Sequence, residues 1–254
     1  MANVVNNAVE TYAKHMQLLL ISSISFVIAV LIPLFASFPT YGDAGAIYIR
    51  TASIFSSNLT LFTTAIIVVA VFFSLLFLSF AMVAINVIVK HSRTYAKIKQ
   101  EVFRGLEKYT SRVFVVLLIL EAIVLLADIL AFAVTGSGEA AGITTAIVGL
   151  AVSPLFFYAP ASIVIDENNI PRAMKASLRF FKKRFDYVFL WLALAIALIT
   201  IFDLIFILIG GAIPSAYFYV LLTIELVIDS VIVLPFLIVL QSECYMKRFA
   251  MLKH

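Results

Sequence analysis

Residues Leu117–Leu130 read LLILEAIVLLADIL, a run as apolar as lipid that carries two carboxylates, Glu121 and Asp128, seven positions apart. Upstream, Val113–Leu120 is uninterrupted by charge, so the apolar window exceeds the roughly 18 residues that mark a helix able to cross a hydrocarbon core of about 30 Å. The rest of the chain reads the same way. Of its 254 residues, 64% are hydrophobic and 13% charged, about half the charged fraction of a soluble domain. Six apolar windows stand out: Gln17–Phe38, Leu61–Val89, Val113–Val134, Ile143–Ile165, Tyr187–Ile209 and Ser215–Leu240. None alternates apolar and polar residues as a transmembrane β-strand does. The predicted class is an all-α polytopic membrane protein with six transmembrane helices. Pro33, Pro154, Pro160 and Pro235 fall inside these windows, where neighbouring helices can satisfy the carbonyls they free. Gly210-Gly211 and Pro214 mark a turn between the fifth and sixth windows.

Basic residues fix the expected orientation. Lys90, Arg93, Lys97, Lys99, Arg104, Lys108 and Arg112 lie between the second and third windows. Arg172, Lys175, Arg179, Lys182, Lys183 and Arg184 lie between the fourth and fifth. Lys14 precedes the first window, Lys247, Arg248 and Lys253 follow the last, and Arg50 alone remains for the other three loops. Because cytoplasmic loops retain Lys and Arg, both termini are expected in the cytoplasm of a cell-membrane protein. The sequon at Asn58 then falls in the first outer loop, close to the membrane. The N-terminal MANVVNNAVETYAKHM lacks the basic start of a cleavable leader. Cys244 is the sole cysteine, so no internal disulfide is expected.

The basic segments carry helical amphipathicity. In NNIPRAMKASLRFFKKRF (168–185), Ile170, Met174, Leu178, Phe181 and Phe185 share one face, while Arg172, Lys175, Arg179, Lys182 and Lys183 fill the remainder. Such a helix is expected to lie on an anionic inner leaflet, apolar face down and cations among phosphates. TYAKIKQEVFRGLEKYTSRVF (94–114) repeats the design with Ile98, Val102, Phe103 and Leu106. A shift of 75 positions superposes Arg104 on Arg179 and Lys108 on Lys183. VVNNAVETYAKHM (4–16) is a weaker third version. The chain thus reads as one membrane domain of three helix-plus-hairpin units (1–90, 91–166, 167–254), or as cytoplasmic loops that are basic and amphipathic because they touch lipid.

The stretch FFYAPASIVIDENNIPRAMKASLRFFKKRFDYVF (156–189) resembles the membrane domain of glycerophosphodiester phosphodiesterases and related inner-membrane proteins. It shares a proline-containing span, an acidic turn, then an A-x-x-x-S helix (Ala173, Ser177) and basic residues. The resemblance implies a six-span fold and no catalytic residues, because the phosphodiesterase activity of that family belongs to a separate soluble domain.

Five acids lie within the windows: Glu121, Asp128, Asp203, Glu225 and Asp229. An ionised acid at a bilayer centre costs about 2.5–3.5 kcal/mol on insertion scales. Such acids must be protonated, hydrated, or shared around a cation. Measured from the inner ends of their spans, Asp128, Asp203 and Glu225 come out at about 22–24 Å, and Glu121 and Asp229 at about 12–16 Å. One reading is a small transporter or channel that couples H⁺ or a hard cation (Na⁺, Mg²⁺ or Ca²⁺) through these carboxylates. The other is a non-catalytic membrane organiser whose basic helices, with Arg104, Lys108, Arg172, Lys175, Arg179, Lys182 and Lys183 as headgroup contacts, bind anionic lipids or a cytosolic partner. As polar glue, the acids would simply hydrogen-bond between helices. His15, His91 and His254 are scattered, Gly42-Asp43 lies outside a span, and no phosphate-binding glycine loop occurs. Neither an enzyme, a cofactor nor a nucleic-acid partner is therefore expected.

Overall fold

The computed structural model describes residues 2–35, 60–92, 97–211 and 218–250. Asn58, Gly42-Asp43, Arg50, Arg93, Pro214 and Lys253 lie outside the described residues. Among the described residues there are helices and no strands, in the order α1 (Ala2–Lys14), α2 (Met16–Phe35), α3 (Leu61–His91), α4 (Ile98–Thr135), α5 (Gly138–Phe156), α6 (Ala159–Ile165), α7 (Ile170–Lys183), α8 (Phe185–Gly211), α9 (Phe218–Ile228), a π-helical turn (Asp229–Val233) and α10 (Leu234–Ala250). Five helical stretches are long and apolar enough to cross a membrane, and a sixth is reached by counting α1 with α2, which meet at 90°. This is an all-α, multi-pass membrane protein.

The six windows become α2, α3, α4, α5–α6, α8 and α9–α10, with three departures in form. The basic stretch expected as a surface helix at 94–114 is instead the first part of α4. Residues Ile98–Thr135 form one helix of 38 residues, about 57 Å long, far more than a hydrocarbon core requires. The run has no proline, and Gly105 is its single internal glycine, so nothing in it forces a break. The fourth window is broken at Phe157-Tyr158, with Pro160 in the first turn of α6, where its missing N–H costs nothing. The sixth window carries the π turn just before Pro235.

Two segments are buried on every side, Ala81–Val89 of α3 and Leu237–Tyr245 of α10. They lie together at the basic end of the bundle, where the Ser242 hydroxyl donates to Asn86 Oδ1 at 2.8 Å. A helix apolar around its whole circumference belongs at the centre of its neighbours, and here α1, α4, α6, α7 and α8 surround the pair. Several polar groups in this core are matched, although the buried Tyr158 hydroxyl has no hydrogen-bond partner among the described residues. Thr11 Oγ1 on α1 donates to Glu243 Oε1 at 3.0 Å, the indole Nε1 of Trp191 on α8 donates to Leu237 O at 2.8 Å, and Gln241 Nε2 donates to Phe157 O at the broken span. The Thr11–Glu243 contact places α1 and α10, the two ends of the described chain, at the same end of the bundle.

Away from that end, apolar side chains face outward. Ile196, Ile201, Ile207 and Leu208 on α8 are all exposed, which is the surface lipid would cover. Between α4 and α5, by contrast, the small residues Ala141, Gly142, Thr145 and Gly149 make up the buried stripe of α5. Their lack of bulk lets the two backbones approach. Gly136, at φ 64°, closes α4 in the left-handed region, and the next residue, Ser137, caps α5.

Candidate functional site

The five intramembrane acids occupy four different helical segments. Asp128 on α4 is fully buried against α5, where Thr145 Oγ1 donates to its Oδ1 at 3.2 Å. Glu121, two turns earlier on the same helix, is half-buried. Asp203 on α8 is half-buried, with Oδ1 sealed from solvent and without a hydrogen bond. Glu225 on α9 is half-buried, and Asp229 opens the π turn at 4% exposure. Among the described residues, no three His, Cys, Asp or Glu side chains meet where they could hold a metal ion. Asp128 lies in the α4–α5 seam, whereas Asp203 is on α8 and Glu225 and Asp229 are on α9 and the π turn that α8 packs against. The Thr145 hydroxyl that meets Asp128 also lies 2.8 Å from Ala141 O on its own helix.

The basic groups form a more coherent surface. Arg172, Lys175, Arg179, Lys182 and Lys183 of α7 are all exposed. The stripe of α7 that is buried in the protein is Ala173, Ser177 and Phe180, distinct from the apolar face of Ile170, Met174, Leu178, Phe181 and Phe185 expected to lie on the leaflet. Those five stand one helical position round, half-buried except for exposed Phe185. The helix thus has three faces: one locked into the bundle, one partly open apolar face, and one cationic. The lock is specific. Ser177 Oγ accepts from Tyr158 N at 2.9 Å and donates to Pro154 O at 2.8 Å, so one hydroxyl serves both sides of the α5–α6 break. Asn169 caps the start of α7 by accepting from Arg172 N at 3.2 Å. The helix ends at Arg184, whose guanidinium pairs with Asp186 through both Nε (3.1 Å) and Nη2 (3.0 Å) and stacks over Tyr187.

Between α6 and α7 the acidic turn ties down three helices. Asp166 Oδ2 accepts from Tyr245 Oη on α10. Glu167 accepts from Lys90 Nζ on α3 at 3.0 Å and from Lys108 Nζ on α4 at 2.6 Å, and Lys90 also donates to Val164 O at 3.0 Å. The Lys108, Lys90 and Tyr109 groups around it hold the Glu167 carboxyl down to about 2, well under its ordinary value of 4.5. Lys108, a headgroup contact in the sequence reading, is therefore engaged within the protein. Arg104 pairs with Glu101 one turn back at 3.2 Å and is otherwise exposed. The sequence reading gave Lys90, Tyr109 and Glu167 no role. Their signal was the acidic turn opposite two lysine-rich helix ends, which topology alone brings within reach.

No family model, curated protein or solved structure matches this chain.

Proposed function

We propose that the protein is a non-catalytic membrane organiser that gathers anionic lipids on the cytoplasmic leaflet through α7. The observation that carries this reading is the geometry of α7: five cations point outward from a helix whose opposite stripe is fastened to the bundle by Ser177. Cations held at the rim of a membrane protein attract anionic headgroups by about 1 kcal/mol each near the surface. The positive-inside rule puts this rim, and both termini, in the cytoplasm. The test is thermal unfolding in nanodiscs of phosphatidylcholine with and without phosphatidylglycerol. Ligands that bind the folded state raise the melting temperature by mass action. The anionic lipid is expected to raise it for the wild type, with the increment lost when Arg172, Lys175, Arg179, Lys182 and Lys183 are all changed to Gln. An increment that survives those changes refutes the reading.

A second reading, proton-coupled transport, draws support from the full burial of Asp128 and the near-full burial of Asp229 within spans, since intramembrane acids commonly mark ion paths. Proteoliposome proton flux that disappears in the Asp128→Asn, Glu225→Gln double variant, with the melt unchanged, would favour transport. No flux in the wild type removes it.

A further inference from the structure

The turn that carries Glu167 holds a second arrangement, apart from α7. Lys90 ends the buried stretch of α3, and Lys108 lies on the neighbouring face of α4. Both ammonium groups ride over the ring of Tyr109, at 5.9 and 5.0 Å from its centroid. Each donates to a different oxygen of the Glu167 carboxylate. Beside them opens a cleft of about 180 Å³, lined by Lys90, Arg104, Lys108 and Tyr109 with Glu101 and Glu167. Converging donors around an oxyanion, with a polar opening next to it, make an anion site in which the bound anion is part of the chain.

The backbone of the stand-in is strained. Glu167 has φ 57°, the only positive φ at a non-glycine among the described residues. That conformation crowds the Cβ of an L-residue against its own carbonyl. Strain of this kind persists where surrounding contacts over-determine it, and it concentrates at switch and binding sites. The carboxylate is also about half exposed, so it can leave without opening the core. When it leaves, Arg104 keeps Glu101, while Lys90 and Lys108 face the cleft without a counter-charge.

The geometry points to a phosphate-binding site made by Lys90, Lys108 and Tyr109, which Glu167 occupies in this structure as an internal substitute. A phosphomonoester suits it better than a carboxylate does. It carries a charge of about −1.5 to −2 at neutral pH and three acceptor oxygens, against one charge and two oxygens on Glu167. The cleft is smaller than the roughly 300–1,000 Å³ of sites for drug-sized molecules, so it fits a phosphate with its first ester atoms and not a nucleotide. Its place at the end of α3's buried run sets it beside the headgroup layer. The phosphate group could come from a lipid such as phosphatidic acid or from a soluble phosphate, and binding of either releases Glu167 from its strained turn.

This site goes beyond the α7 reading and is separable from it by experiment. The full-length protein in phosphatidylcholine nanodiscs is titrated with inorganic phosphate in one arm and prepared with phosphatidic acid in the other, and binding is followed by the melting temperature and by ³¹P NMR linewidth. The variants are Glu167→Asn, which removes the charge with a residue that tolerates positive φ, Glu167→Gln, and the Lys90→Gln, Lys108→Gln pair. Phosphate or phosphatidic acid is expected to bind Glu167→Asn at least tenfold more tightly than the wild type, and the lysine pair not at all. The α7 Gln variants are expected to bind as the wild type does. Binding in the lipid arm alone identifies a headgroup site, and binding in both identifies a soluble phosphate. Equal affinity in wild type and both Glu167 variants, or undiminished affinity in the lysine pair, overturns the proposal and leaves Glu167 as a fastening between helices.

Discussion

Ser177 sits where the chain of Tyr158 has lost its helical partner, and its hydroxyl accepts from the Tyr158 amide at 2.9 Å while donating to Pro154 O at 2.8 Å. A surface helix is thereby fixed to the one place where a membrane span is interrupted. The interruption would otherwise bury an unsatisfied N–H, which is expensive away from water.

Replacing Ser177 with Ala removes both bonds and leaves the Tyr158 amide without its acceptor. The expected loss is about 1–3 kcal/mol, read as a lowered melting temperature in detergent. Cysteine accessibility at position 174 or 178 should rise in the same variant as α7 loosens. A melt indistinguishable from wild type would show that the break finds another acceptor.

At Gly105, α4 lies close against α3: a Cβ there would lie 2.5 Å from Val87 Cγ2. Val87 is β-branched and buried, so it has little room to turn. Gly105→Ala is expected to destabilise by about 1–3 kcal/mol. Adding Val87→Ala should recover part of that loss, and a double-mutant cycle would measure the coupling. Strictly additive effects would mean that the two side chains do not compete for the space.

Trp191 anchors α8, the most exposed of the spans, to the buried part of α10 through its indole N–H. Trp191→Phe keeps an aromatic ring against Phe157, which meets the indole edge-on with centroids 4.8 Å apart, but deletes the donor. A loss of about 1–2 kcal/mol is expected from the missing hydrogen bond and the smaller ring. Chemical denaturation in mixed micelles, with the far-UV signal as readout, checks it.

Acid should loosen the α6–α7 turn in a defined window. Glu167 has a folded-state value of about 2 against an ordinary 4.5, so the folded protein favours its charged form. Its contribution is complete above about pH 4.5 and is lost as pH falls toward 2. With the carboxylate half exposed, solvent screening keeps the effect to about 1 kcal/mol or less. The wild-type melting temperature should therefore fall more steeply than that of Glu167→Gln between pH 4.5 and the acid limit, and the two curves should run parallel above it.

The class of fold was legible because lipid imposes a length and a composition that few soluble sequences meet, and five of the six apolar windows contain a helix long and apolar enough to cross a membrane, the first qualifying only together with α1. The acids at Glu121, Asp128, Asp203, Glu225 and Asp229 were equally visible, but their seven- and four-residue spacings report one helix face at a time. Which faces meet is decided between helices, and there Asp128 meets Thr145 on α5. The stripe by which α7 docks on the bundle was not legible for a related reason. Ala173 and Ser177 contribute little to an apolar pattern, yet small side chains are what permit close docking, so the buried stripe was the less hydrophobic one. The break at Phe157-Tyr158 was announced by Pro154 and Pro160, six residues apart, which a continuous span can also tolerate. The continuity of α4 through Arg112 was hidden by its charges, since basic residues mark the end of the lipid phase and not the end of a helix.

That unbroken α4 acts as a lever. Lys108, pinned to Glu167 at the basic end, and Asp128, seated on Thr145 within the membrane, are joined by 20 residues of the same rod, a distance of about 30 Å. A helix with no hinge absorbs little tilt, so any movement of Lys108 would be carried along it toward the seat of Asp128 on α5. The last span has a joint instead, the π turn that begins at Asp229. The two spans thus differ in build: α4 runs unbroken from the basic end to Asp128, and the last span is interrupted.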